Sequence, residues 1–497
     1  MIFNSMNYLF FFPIVVLLYY AFPNKVKMYW LLIVSYYFYL SWNFKYGLLI
    51  LIVTILTFIC GLTIGRLNSR HKKGKSRWQE IVIIGICIAI NVGILFFFKY
   101  ASFFANNLNL LLKNLGLKSQ LRSFDIILPV GISFYIFQTI GYIIDVFRGD
   151  VVAEKNFFRY ALFVSFFPQL VAGPIERSKN LLKQLYIHNK FDVNNVKAGL
   201  LTMAYGLFMK IVVADNIAMV INPIFENPDS YSGMMLIYAT ILFAFQIYCD
   251  FNGYTQIAIG SANVLGFKLS QNFNSPYIGT SVKDFWRRWH ISLTSWFRDY
   301  LYIPLGGSKK GILRKQINTL IVFACSGLWH GAAWHYVIWG CLNGIFSILE
   351  DLGQPYLSKV CNTLKIKKDT IAYSIFQRVR TFIIIDFTWL FFRATSLSVA
   401  IKMLSKMFAD FRIEWLLNFE FVDAYTDTYS LMVVNVSILI VILVDIAKYL
   451  GKNVGEIIFK QQIFFRWTIY ALILLMILYW GGYGADYEQT QFIYFQF

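Results

Sequence analysis

Charge is scarce in this chain. Of its 497 residues only 14% are Asp, Glu, Lys or Arg, against 58% that are hydrophobic. The apolar runs repeatedly approach or exceed the roughly 20 residues that span a bilayer, so the composition points to a polytopic membrane protein. Acidic residues are scarcer than basic ones, 26 against 45, which leaves a formal net charge of +19. Such an excess can signal nucleic-acid binding. Here the basic residues fall in short loops between apolar runs, where they set membrane topology, and no nucleic-acid partner is expected.

Cysteine is sparse as well. Cys60, Cys87, Cys249, Cys325, Cys341 and Cys361 form no CxxC pair, and most lie within apolar segments. Neither a disulfide framework nor a cysteine metal site is supported, and no metal is expected. The chain has no GxSxG, no P-loop and no HExxH, which leaves hydrolase, NTPase and zincin chemistry without a motif. The opening MIFNSMNYLFFFPIVVLLYYAF lacks a basic n-region and a small-residue cleavage site, so it reads as a retained first helix. No linker, low-complexity tract or internal repeat divides the chain, and one membrane domain over 1–497 is the economical expectation.

What is present is a series of apolar runs, near 7–22, 28–41, 46–64, 80–100, 127–147, 157–174, 197–222, 235–265, 317–347, 372–393, 430–448 and 464–481. They predict an all-α polytopic membrane protein of about eleven transmembrane helices with one or two re-entrant or interfacial helices. The densest basic run, GRLNSRHKKGKSR, carries Arg66, Arg70, Lys72, Lys73, Lys75 and Arg77, and the positive-inside rule assigns it to the cytoplasm. Counting back places Lys25 and Lys27 inside and the N-terminus outside.

The segment 281–304, SVKDFWRRWHISLTSWFRDYLYIP, cannot be an ordinary lipid-facing span. It carries Asp284, Arg287, Arg288, His290, Arg298 and Asp299, and each charge exposed at the bilayer centre costs several kcal/mol. It lies along the interface or lines a wet cavity; Trp286, Trp289 and Trp296 suit either. His330 follows in SGLWHGAAWH, 14 residues after Gln316, where a helix enters from the cytoplasmic loop GGSKKGILRK. On an unbroken helix it lies roughly 20 Å along the axis, well inside a core about 30 Å thick.

A buried histidine is most often a packing residue, but ionisable groups inside a membrane domain usually serve a pathway or a reaction. On a helix Ser326, His330 and Trp334 share a face by i, i+4 spacing, and Gly327, Gly331, Ala332 and Ala333 allow close approach of another helix or a substrate. His335 points elsewhere and reads as structural. A near-neutral imidazole suits general-base chemistry, and a transporter's proton relay explains His330 almost as well. In YCDFNGYTQIAIG, Asp250 and Asn252 before Gly253 read either as a capped helix break or as a polar element lining a cavity. In PVGISFYIFQTIGYIIDVFRGD, Gln138, Tyr142 and Asp145 fall on one helical face that is either wet or satisfied by its own hydrogen bonds. FPQLVAGPIER, with Pro168, Gly173 and Pro174, predicts non-helical backbone at depth.

The pair KDFWRRWHISLTSWFRDYLYIPLGG and GLWHGAAWHYVIWGCLNG resembles the membrane-bound O-acyltransferase family, and more narrowly its bacterial alginate O-acetyltransferase-like branch. The resemblance continues through PVGISFYIFQ, FFPQLVAGPI, YCDFNGYTQIAIG, FTWLFFRA and the terminal FIYFQF, nearly the whole chain. It implies helices around a central funnel or tunnel that holds two motif histidines. His330 of GLWHG matches the residue this family is regarded as using in catalysis. His290 of WRRWHISL occupies the position where many lipid-acylating and protein-acylating relatives carry asparagine. One departure is Asn252, where the bacterial branch often has serine, which puts a polar contact in doubt.

The resemblance implies an acyltransferase that moves an acyl group, with acetyl expected, from a cytoplasmic thioester such as acetyl-CoA or an acyl carrier to an exported polysaccharide or cell-wall glycan. It also implies an extracytoplasmic partner acyltransferase of the SGNH type and residence in a bacterial cytoplasmic membrane. The candidate site comprises His330 and His290 as catalytic residues, with Asp250, Asn252, Trp286, Arg287, Arg288, Trp289, Ser326, Trp329, Trp334 and Gln138 near the substrates. Arg287 and Arg288 either meet an anionic donor or anchor lipid headgroups. No bound cofactor is expected. The alternative is D-alanyl transfer to teichoic acid, and a transporter or flippase is the more remote one.

Overall fold

The computed structural model describes residues 1–70, 77–117, 121, 128–171, 173–412, 414–425, 427–482 and 493. Lys72, Lys73 and Lys75 of the basic run, and the terminal FIYFQF apart from Ile493, therefore lie outside the described residues. Among the described residues all regular structure is helical, with no strand. Six helices among the described residues are long and apolar enough to cross a membrane, Phe44–Ser69, Trp78–Asn114, Val193–Glu226, Gly233–Val264, Thr428–Tyr449 and Ile463–Trp480. Their outward faces are apolar: Phe464 is 73% and Leu478 56% exposed, a surface that belongs against lipid rather than water. The chain is a multi-pass membrane protein.

The chain divides into two compact units, Met1–Met203 with Ile257–Ser270, and Ala204–Gln256 with Gln271–Phe497. The first holds α1 (Met6–Ala21), α2 (Asn24–Leu40), α3 (Phe44–Arg70), α4 (Trp78–Asn114), α5 (Ile132–Arg148) and α6 (Phe157–Ser165). The Ser5 side chain caps α1 by accepting from the Tyr8 amide, and Pro23, which has no amide proton to give, separates α1 from α2. The polar face of α5 satisfies itself. Gln138 donates to the Phe163 carbonyl at 2.7 Å and accepts from Gln169 at 3.0 Å, the Tyr142 hydroxyl accepts from the Glu154 amide, and Ser178 donates to Asp145. The run 157–174 is not one helix: α6 stops at Ser165, one short turn covers Phe167–Leu170, and the backbone at Val171 and from Gly173 to Glu176 is buried and non-helical, as the two prolines and Gly173 require.

Two long helices, α7 (Val193–Glu226) and α8 (Gly233–Val264), contribute to both units. α7 contains a wider π turn at Phe208–Ala214. α8 runs unbroken through Asp250, Asn252 and Gly253, which removes the helix-break reading of that stretch. Gly253 serves proximity instead, since a Cβ there would stand 2.8 Å from the Gly206 carbonyl oxygen.

The second unit continues with α9 (Val282–Arg288), α10 (Ile291–Phe297), α11 (Ile312–His330), α12 (Trp334–Thr363), α13 (Ile371–Arg393), α14 (Thr428–Tyr449) and α15 (Ile463–Trp480). The run 317–347 is split rather than continuous, because α11 ends at His330 and α12 begins at Trp334. The two helices fold back on each other without room for side chains at the contact. A Cβ on Gly327 would lie 2.3 Å from the Tyr336 carbonyl oxygen, and one on Gly340 would lie 2.3 Å from that of Phe323. Close backbone packing thus overrides the helix propensity of Ala332 and Ala333.

Candidate functional site

His330 is the last residue of α11, and the hairpin turn that follows fixes where its ring points. The imidazole is 3% exposed. Its ring centre lies 4.9 Å from Trp329, 5.0 Å from Trp339 of α12 and 5.5 Å from Phe392 of α13, each in edge-on geometry. Indole and phenyl faces packed edge to face hold a ring in one orientation while keeping bulk water out.

His290 arrives by a different route. It sits between α9 and α10 at φ 44°, in left-handed backbone, a region that histidine enters more readily than bulky or β-branched residues. The kink is held from the preceding loop. Ile291 donates its amide to the Asn272 carbonyl at 2.9 Å, and Asn274 donates to that of Arg288 at 3.0 Å. The Asn272 side chain accepts from the Ser292 hydroxyl at 2.6 Å. This turn carries His290, 1% exposed, to 4.7 Å from the Phe251 ring, 5.8 Å from Trp329 and 6.4 Å from His330, centre to centre. Two histidines 40 positions apart in sequence thereby share one buried, aromatic-walled site.

Around the pair the expected residues separate. Trp286 donates its indole N–H to Asn343 at 3.2 Å and packs edge-on against Trp339, and Trp289 lies among Phe285, Phe273 and Trp389. Ser326 is buried one turn before His330. Arg288 gives its charge to Asp284 at 3.0 Å, whereas Arg287 is exposed. Asn252 accepts from Gln256 at 3.0 Å and reaches the Met209 sulfur. Gln138 belongs to the first unit, where its amide is engaged as described. Trp334 corrects the shared-face expectation. It opens α12 instead of extending α11, and at 56% exposed its indole faces outward. His335 also belongs to α12, so the helical spacing from His330 does not apply to it; its ring is buried and lies 3.1 Å from the Phe391 carbonyl.

Asp250 stands one residue from Phe251 and belongs to a buried charge cluster. Lys210 Nζ lies 2.6 Å from Asp250 and 2.8 Å from Asp215, and the Ile493 amide donates to the second Asp250 oxygen at 2.8 Å. Each of the three side chains is at most 5% exposed. The sequence signal for Lys210 was a lone ammonium inside the apolar run 197–222, whose cost demands a partner. Asn272, Ser292 and Asn343 were missed too. Nothing in local spacing marks an asparagine that braces a turn from elsewhere in the chain.

A model of the membrane-bound O-acyltransferase family matches residues 152–397, a range that includes both histidines. The protein described as "Probable alginate O-acetylase AlgI" from Pseudomonas putida is 36% identical over 412 residues, covering 82% of this chain and 80% of that protein. "Peptidoglycan O-acetyltransferase" from Helicobacter pylori is 32% identical over 502 residues, covering 94% and 91%. "Teichoic acid D-alanyltransferase" from Streptococcus thermophilus is 29% identical over 235 residues, covering 45% of this chain and 56% of that protein. With long, apolar helices and with relatives that match across most of both chains, this protein belongs to the membrane-bound O-acyltransferase family and is an O-acyltransferase.

Proposed function

We propose that this protein transfers an acetyl group from a cytoplasmic thioester, acetyl-CoA or an acyl carrier, toward an exported polysaccharide or cell-wall glycan, with an extracytoplasmic SGNH-type acyltransferase completing the modification. The reading places it in a bacterial cytoplasmic membrane with its N-terminus outside. The observation that carries it is the buried pair of imidazoles with ring centres 6.4 Å apart. At that separation one oxygen between the rings can reach a nitrogen of each by hydrogen bonds of about 2.8 Å.

His330 acts as general base toward the acceptor hydroxyl. The acceptor oxygen bonds to the acyl carbon, the carbon–sulfur bond breaks, and the proton taken by the imidazole passes to the departing thiolate. His290 orients the donor carbonyl or stabilises the charge that develops on its oxygen. The aromatic wall keeps the thioester from hydrolysis by water. Trp286, Trp289, Trp329, Ser326, Asp250 and Asn252 line or brace the substrate path, and Arg287 is the cation left for an anionic donor.

The acetyl assignment draws on the two O-acetyltransferase relatives, of which the alignments cover 80% and 91%, against 56% of the D-alanyltransferase. The test is mass spectrometry of exported glycan from cells expressing wild type, His290→Ala, His330→Ala or His335→Ala at matched membrane levels. Acetylation lost with His330→Ala and retained with His335→Ala supports the assignment. Acetylation unchanged in all three and in a deletion strain refutes this acceptor, and D-alanine esters on teichoic acid then become the product to measure.

A further inference from the structure

The first unit contains a cavity of about 390 Å³ whose lining includes Asn24, Lys25, Lys27, Asn156, Arg159 and His188. We propose that it binds a phosphate-bearing anion, and that its occupant in the membrane is an anionic phospholipid headgroup. This inference does not rest on the acyl-transfer reading.

Four observations converge. Lys27 is only 8% exposed, yet among the described residues no carboxylate pairs with it; its ammonium donates to the Asn189 carbonyl at 3.0 Å and lies over the Tyr19 and Tyr20 rings at 5.2 and 5.6 Å. A buried ammonium so placed keeps donor capacity and charge to spare, both of which an anion satisfies. Lys25, exposed at the same mouth, also has no carboxylate partner among the described residues. Arg159 is partly committed, with Glu154 at 3.3 Å and the Tyr186 ring at 3.8 Å, but its buried Nε has no hydrogen-bond partner among the described residues. Finally, the N-terminal turns of α2 and α6 both reach the cavity, through Asn24 and Lys25 and through Asn156. No side chain caps α2 and its Val26 amide turns back to the Pro23 carbonyl, which leaves the Asn24 and Lys25 amides and the positive end of the dipole to an anion.

The rim distinguishes a lipid from a free phosphate. Tyr29, which lines the cavity, and Phe158, packed edge-on against it at 5.5 Å, are 43% and 49% exposed. Apolar and aromatic surface beside a cationic pocket fits acyl chains attached to the bound phosphate and gives nothing to a soluble ion.

The full-length protein, purified in a neutral detergent, is titrated with phosphatidylglycerol, phosphatidylcholine, glycerol phosphate or inorganic phosphate, with thermal unfolding and native mass spectrometry as readouts. Phosphatidylglycerol is expected to bind and stabilise in preference to phosphatidylcholine. Affinity falls by about fivefold for Lys25→Gln and roughly thirtyfold for Lys25→Gln with Lys27→Gln, on about 1 kcal/mol per basic residue near the headgroup. Lys309→Gln, outside the cavity, leaves it unchanged. Lys25 is exposed, so its variant stays interpretable if loss of Lys27 impairs folding. Equal binding of the two lipids, or full retention of the preference in Lys25→Gln, overturns the proposal. Stabilisation by glycerol phosphate or inorganic phosphate without any lipid preference overturns the lipid occupant.

Discussion

Replacing Gly327 by alanine adds one methyl group to the backbone contact between α11 and α12, three residues before His330. The new Cβ would stand 2.3 Å from the Tyr336 carbonyl oxygen. That atom is backbone and cannot swing aside, so the hairpin must open by about 1 Å to restore an ordinary contact. Overpacking of this kind costs about 1–3 kcal/mol, offset by the roughly 0.5–1 kcal/mol that alanine gains over glycine inside a helix. The protein should therefore still fold. Catalysis is less tolerant, because a misplacement of about 1 Å at a reacting group can cost around a hundredfold in rate. Since His330 ends α11 while Trp339 of α12 forms one wall of its pocket, opening the hairpin separates the ring from its wall. Glycan acetylation, normalised to folded protein in the membrane, should fall by about two orders of magnitude. Gly353→Ala on α12 is the control, because nothing lies within 4 Å of its Cβ position; it should keep full activity and gain slight stability. A folded Gly327→Ala protein with activity within about threefold of wild type would refute the argument that hairpin packing positions His330.

Lys210→Met leaves Asp215 and Asp250 buried without their shared ammonium, and should lower stability by about 3–5 kcal/mol in thermal unfolding of the purified protein. Adding Asp215→Asn and Asp250→Asn should recover most of that loss, and no recovery would mean that charge pairing is not what the cluster provides. At the left-handed position, His290→Asn should be more stable than His290→Ala by about 1 kcal/mol, since asparagine tolerates positive φ, while both lose acyl transfer. Asn272→Ala removes the acceptor of Ser292 and should cost about 1–3 kcal/mol. It should also reduce the rate at saturating donor more than it changes the apparent donor affinity, which a donor titration in membranes would show.

Much of this was legible in the residues. Low charge and long apolar runs identify a membrane protein, because an unpaired charge in hydrocarbon is costly. The two histidine motifs, each rich in tryptophan, stand out against that background, and they carry the resemblance to the family that the relatives show. The non-helical stretch at FPQLVAGPIER followed from proline chemistry, which is local.

Other features required the tertiary structure. Hydrophobic periodicity made 317–347 a single run, yet the chain turns at Gly331–Ala333, because the contact of Gly327 with Tyr336 is worth more than continuing the helix. Trp334 consequently leaves the face of His330. The stretch from Asp250 to Gly253, rich in cap and breaker residues, stays helical because Gly253 packs against Gly206. The kink at His290 depends on Asn272, and the Lys210 cluster joins side chains from two helices. Composition and pattern report what each segment needs from its surroundings, whether lipid, a counter-charge or a close neighbour. Which neighbour answers that need is decided when the helices pack, since contacts between residues distant in the chain leave no periodic trace in either partner.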